Sequence, residues 1–297
     1  MVTAALAVLG ASAARDADSP TPSDASTLAA TPATDASPAG ASPAGASAAG
    51  ASPTTLVGIP AASLPSQSSI AQLAMPEWHE FYFTRAAYSS GGGGYWGRRR
   101  SWSTDYPKAD RQFLTVLRRL TDLDAYDGEN AIGLTDPNLR RFPFLYALEV
   151  GYMNMAPGEI TALRDYLLAG GFLVIDDFWG TQEWLQFQYQ MGLVFPDRPI
   201  VDLDPDHPVF STFYDIDEVL QVPAYGNSWG GQTSERDGYT PYVRGILSDE
   251  GRLMVIINWN TDLGDAWEWA EQPDYPLQYS TFAYQMGVNM IVYAMSH

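Results

Sequence analysis

The stretch PGEITALRDYLLAGGFLVIDDFWGTQEWLQFQYQM, Pro157 to Met191, limits the possible folds more than any other part of the chain. Pro157 suits a first helical position, where its missing N–H costs no intrahelical bond. Glu159 falls in the first turn, and Ile160, Leu163 and Leu167 form one apolar stripe at helical spacing. Gly170-Gly171 is a stop signal. Phe172 to Ile175 then runs without a polar residue, as a strand covered on both faces does. A second helix is expected from about Gln182 to Met191, burying Trp184, Phe187 and Met191. Helix, buried strand and helix in this order indicate a mostly parallel sheet sandwiched by helices, an α/β domain.

Other segments fit that architecture. FYFTRAAY (Phe81 to Tyr88) reads as a strand leaving into the glycines at 91–94. Asp105 and Pro107 start a helix that carries Phe113, Leu114, Leu117 and Leu120 on one face. AIGL (Ala131 to Leu134) and FLYAL (Phe144 to Leu148) are short buried strands. Val243 to Leu247 and Leu253 to Ile257 flank the turn SDEG and form a hairpin. A closing helix from about Leu277 to Met295 turns Phe282, Met286, Met290 and Tyr293 inward.

Residues 15–75 are nearly all Ala, Ser, Pro, Thr and Gly, too poor in large side chains to offset the entropy of ordering, and are expected to be a disordered tether. Residues 1–14 form an apolar run ending in Ala11-Ser12-Ala13, the pattern of a secretory signal without its usual basic start. The run is well short of the roughly 20 residues of a membrane span. An exported domain, periplasmic or secreted, is therefore expected over residues 76–297, retained at the membrane if the leader stays uncleaved, with no transmembrane span in the mature form.

Of 35 acidic and 16 basic residues, four acids and one base precede Met75, so the rest holds 31 against 15. That field repels nucleic acid and anionic membranes. A small molecule, carbohydrate or protein partner is easier to accommodate, as is a divalent cation. The absence of cysteine excludes disulfides, thiolate nucleophiles and thiolate zinc sites.

Candidate site residues cluster in four places. Asp176 and Asp177, followed by Trp179, end the buried strand, where open parallel sheets bind ligands. Consecutive strand residues face opposite ways, so the two carboxylates are not expected to share a proton; capping or loop bonding is the structural alternative. DLDPDHPVF (Asp202 to Phe210) holds His207, a candidate general base or metal ligand with Asp176. Its Asp202, Asp204 and Asp206 alternate like calcium-loop ligands but lack the loop's sixth-place Gly and twelfth-place Glu. In NWNTDLGDAWEW (Asn258 to Trp269), Asn258, Asn260, Asp262 and Asp265 suit a cation or sugar hydroxyls, and three tryptophans suit flat platforms. Around Ser89 to Pro107, Arg98, Arg99 and Arg100 form the one basic patch, at the rim of the site with Arg85, in a loop without a P-loop ending.

The segments FTR (Phe83 to Arg85), TDYPKAD (Thr104 to Asp110), RFPFLYALE (Arg141 to Glu149), LRDYLLAGGFLVIDDFWG (Leu163 to Gly180), DHPVF (Asp206 to Phe210) and GVNMIVYAMSH (Gly287 to His297) resemble a bacterial family, the domain of unknown function numbered 4159. More distantly, the helix, the GGF strand and DHPV look like the class I glutamine amidotransferase-like, flavodoxin-like fold and its trehalose-utilisation relatives. That resemblance implies a nucleophilic cysteine after the strand. Here the turn reads Ile175-Asp176-Asp177-Phe178, so glutaminase chemistry is not expected. The first expectation is a binding module without catalysis; the alternatives are a metal-assisted hydrolase acting on carbohydrate and an interaction module of an envelope assembly.

Overall fold

The structure, a computed structural model, describes residues 78–91 and 101–297. The signal-like segment, the tether and Arg98, Arg99 and Arg100 lie outside the described residues. The strands are β1 (Thr84–Ala87), β2 (Asn130–Gly133), β3 (Phe144–Leu148), β4 (Phe172–Asp176), β5 (Val201–Asp202), β6 (Tyr242–Leu247) and β7 (Leu253–Trp259). They make one seven-stranded sheet in the order β2-β1-β3-β4-β7-β6-β5. The first five strands in that order are parallel, and β6 and β5 close the edge antiparallel. The expected α/β architecture is present, with a mixed edge supplied by the 243–257 hairpin.

Helices α1 (Lys108–Leu120), α2 (Pro157–Leu168), α3 (Gly180–Val194), α4 (Tyr225–Ser228), α5 (Leu263–Glu268) and α6 (Leu277–Ser296) complete the domain. Strand alternation divides the core into two layers. Phe83, Phe144, Tyr146, Phe172, Val174 and Ile256 face a layer with Phe113 of α1, Trp267 of α5 and Met286 and Met290 of α6. Leu145, Ala147, Leu173, Ile175, Val255 and Ile257 face Leu163 and Leu167 of α2 and Phe187 and Met191 of α3. Each fully buried Val, Leu, Ile, Phe or Met among them contributes on the order of 1.5–3 kcal/mol.

The parity that fills these layers also places Asp176, which continues the Phe172–Val174 side toward α1, α5 and α6; Asp177, just past the strand, takes the left-handed region at φ 46°. Among the described residues, no helix is long and apolar enough to cross a membrane.

Candidate functional site

Three parallel strands end together beneath short loops. β3 is followed by Glu149, β4 ends in Asp176, and β7 leads through Asn260 into Asp262. Asp176 is wholly buried; its Oδ2 accepts from Tyr146 Oη at 2.6 Å, Leu263 N at 3.0 Å and Gly264 N at 3.1 Å. Its Oδ1 has no hydrogen-bond partner among the described residues. Asp177 Oδ1 accepts from Trp179 Nε1 at 3.0 Å, and its backbone carbonyl accepts from Glu149 N. Asp262 caps α5, its Oδ1 accepting from Asp265 N at 2.7 Å, and Asp265 Oδ2 accepts from Tyr225 N at 2.7 Å.

Asp105 reaches the same place from the segment before α1. One oxygen each of Asp105, Asp262 and Asp265 lie within 4.8 Å of one another. The Oδ2 of Asp105 is shut off from solvent and has no hydrogen-bond partner among the described residues. A Cβ on Gly264 would lie 2.9 Å from that oxygen, 3.1 Å from Tyr146 Oη and 3.5 Å from Asp262 Oδ1. Gly264 therefore keeps open the gap into which these groups converge.

Burial governs the electrostatics, because a carboxylate that leaves water loses its hydration. It pushes Asp176 up to about 6, against the hydrogen bonds from Tyr146 and from the Leu263 and Gly264 amides. Burial, then neighbouring acids, raise the others: Asp265 acts on Asp105, Glu149 and Asp105 on Asp177, and Asp177 and Asp265 on Asp262. Asp265 and half-buried Glu268 are also raised, again chiefly by burial.

Among the described residues, Arg85 and Lys108 are already engaged. Arg85 is fully buried: Nε and Nη2 donate to Asp110 Oδ1 at 2.8 and 2.5 Å, and Nη1 donates to the carbonyls of Thr104 and Trp102. Burial opposes its charge, but Asp110 outweighs that cost and the guanidinium stays firmly protonated. Lys108 Nζ sits 3.5 Å from the centre of the Trp269 ring and 3.9 Å from Glu271.

Several expected assignments change in three dimensions. Asp176 and His207 do not meet. The His207 ring lies 5.6 Å from that of Tyr293, whose hydroxyl accepts from Leu253 N at the start of β7, whereas Asp176 stands at the opposite, carboxyl end of the sheet. His207 Nδ1 accepts from Val209 N, and burial lowers its basicity. Asp202 pairs with Arg244 at 2.6 Å, and Asp204 and Asp206 are exposed.

Arg85 is not at a rim, because α1 covers its face of β1. Asn258 Nδ2 donates to Ile175 O in the core. Asn260, at φ 61°, binds Gly180 N through Oδ1 and Thr240 O through Nδ2. Trp179 and Trp267 are buried, and Trp259 and Trp269, also expected as platforms, are half-buried under other side chains. Trp267 packs on Phe113 at 4.5 Å, Trp269 stacks on Tyr225, and Trp259 lies against Trp184 and under Arg244. Asp105, Tyr146, Gly264 and Glu268 join the site without having been singled out for it. The available signal for Tyr146 was a hydroxyl inside a buried strand.

These features define an α/β domain with a mostly parallel sheet and a cluster of buried and half-buried acids at its strand ends. The family Domain of unknown function (DUF4159) matches residues 85–295, and the chain belongs to it. No curated protein matches the chain.

Proposed function

We propose that the protein is a ligand-binding α/β module without catalysis, taking a positively charged ligand at the carboxyl ends of β3, β4 and β7. The carrying observation is the convergence there of Asp105, Asp176, Asp177, Asp262 and Asp265 beside an arginine whose charge Asp110 already answers. Carboxylates crowded in a poorly solvated site repel one another, and an incoming cation replaces that repulsion with attraction. Trp267 is buried, and half-buried Trp259 and Trp269 already carry Arg244 and Lys108 over their rings, which favours a cation over a carbohydrate.

The finer fold reading is part of the proposal. The parallel run β2-β1-β3-β4 has the order of a flavodoxin-like sheet, which supports the amidotransferase-like resemblance. Asp177 then occupies the strand-to-helix turn in which those enzymes carry cysteine. A carboxylate there, hydrogen-bonded by Trp179, supports binding over glutaminase chemistry. We also propose export of the domain, on the signal-like residues 1–14.

The test is a thermal-shift and calorimetric panel on the full chain with calcium, magnesium, putrescine, phosphate and neutral sugars. At least one cation is expected to raise the unfolding midpoint saturably, and Asp176→Asn to weaken it at least fivefold while the variant stays folded. Stabilisation by phosphate or sugars alone, or by no ligand of the panel, would overturn the reading.

A further inference from the structure

We infer that Asp105, Asp262 and Asp265 form a site for one hard divalent cation of calcium size, held over Gly264 at the carboxyl ends of β4 and β7. This rests on the cation-binding reading and names its ligand. The donors are all carboxylate oxygens, with neither cysteine nor histidine among them, which selects oxygen-loving cations over zinc or copper.

Size follows from the spacing. Two oxygens on one calcium ion, each about 2.3–2.6 Å from it, stand at most about 5 Å apart, whereas magnesium at about 2.0–2.1 Å holds them within about 4 Å. The three oxygens lie within 4.8 Å of one another, a range that calcium accommodates in full and magnesium only below about 4 Å, and calcium's six to eight oxygens suit a carboxylate-rich site better than magnesium's six.

Acidic clusters without ions are common on protein surfaces, and two features set this one apart. Asp105 Oδ2 is sealed from solvent, has no hydrogen-bond partner among the described residues, and points to the gap that Asp262 Oδ1 also borders. Wholly buried Asp176 leaves Oδ1 similarly unpartnered, while its Oδ2 is bound by Tyr146 and Gly264, the residues flanking that gap. An unanswered buried acceptor is costly, and a cation answers such oxygens at once.

The ligands are also held in place. Asp262 is fixed by the Asp265 amide and Asp265 by the Tyr225 amide, the supporting bonds that orient ligands before an ion arrives. Glu268, whose carboxyl shares a hydrogen bond with that of Asp105, offers a further oxygen once a cation displaces the shared proton, and water completes the six to eight that calcium takes.

The experiment uses the full chain, stripped with chelator and dialysed, titrated in a calorimeter with calcium chloride, magnesium chloride and putrescine. Calcium is expected to bind at one saturable site, at least tenfold more tightly than magnesium. Asp105→Asn and Asp265→Asn should each weaken it at least tenfold, and Asp204→Asn in the exposed 202–206 loop should not. Terbium provides a readout on the unaltered protein should a variant fail to fold. Its emission should be sensitised by tryptophan, since Trp267 lies on the same short helix as Asp265 and Trp269 directly follows that helix, and calcium should quench it by displacement.

The inference is overturned by absence of calcium binding at millimolar concentration, by binding that survives both site variants, by loss of binding in Asp204→Asn, or by terbium emission that is absent or indifferent to calcium. Binding of putrescine without calcium would sink the metal site and leave the cation-binding reading standing; binding of none of the three cations would sink both.

Discussion

Arg85 and Gly264 show how single residues are committed by what covers them. The Arg85 guanidinium lies 4.9 Å from the centre of the Tyr146 ring and is closed in by Asp110 and two carbonyls. Replacing it with leucine leaves the Asp110 carboxylate buried without its partner. Such losses cost about 3–5 kcal/mol, more than replacing both members with apolar side chains. Urea unfolding of Arg85→Leu, Asp110→Leu and the double variant should show the double as less destabilised than Arg85→Leu alone; a single-variant loss under about 1 kcal/mol would contradict the role given to the pair. Gly264 is required for space: an alanine methyl would crowd Asp105 Oδ2 and Tyr146 Oη together. From the sequence, Phe83 and Arg85 could be placed on one face of a strand. That α1 roofs this face and supplies Asp110 was not visible there, because 25 residues separate the partners.

At the scale of elements, the long periodic segments and the short buried strands were legible, and the short helices were not. The helices expected from Pro157 and Leu277 occupy Pro157–Leu168 and Leu277–Ser296, and the strand expected at Phe172 extends to Asp176. The six residues of α5, expected as a polar loop, are too few for a periodic stripe; the Asp262 cap and the docking of Trp267 hold them helical. The start of α3 is likewise fixed from afar. Asp237 Oδ1 accepts from Thr181 N at 2.9 Å and Oδ2 from Thr181 Oγ1 at 2.6 Å. These bonds hold the Asp237 carboxyl below the usual carboxylate range. A depressed carboxyl stabilises the fold above its unfolded pKa, and that contribution fades as pH falls through its folded value. Asp237→Asn should therefore lower stability at pH 6 and narrow the gap between pH 6 and pH 3 in urea titrations; an unchanged gap would exclude this contribution.

For the whole molecule, the core runs from Phe81 to Tyr293, and the site lies within it. A chain beginning at Trp78 is accordingly expected to unfold in one transition at the full chain's midpoint and to keep its calcium response; calorimetry of both chains decides, and loss of the cooperative transition would show that earlier residues are needed. Local periodicity settled the α/β class and the helix–strand–helix unit, since each depends on neighbours in the chain. The location of the acids did not follow from it. As the candidate general base or imidazole ligand, His207 was expected to partner Asp176, but parallel pairing of β4 with β7 puts them at opposite ends of the sheet. The same pairing brings Asp262 and Asp265 beside Asp176, and the packing of α1 against α5 brings in Asp105. A buried charge cluster is a property of distant segments meeting in a place that water has left, and only the tertiary structure decides which segments meet.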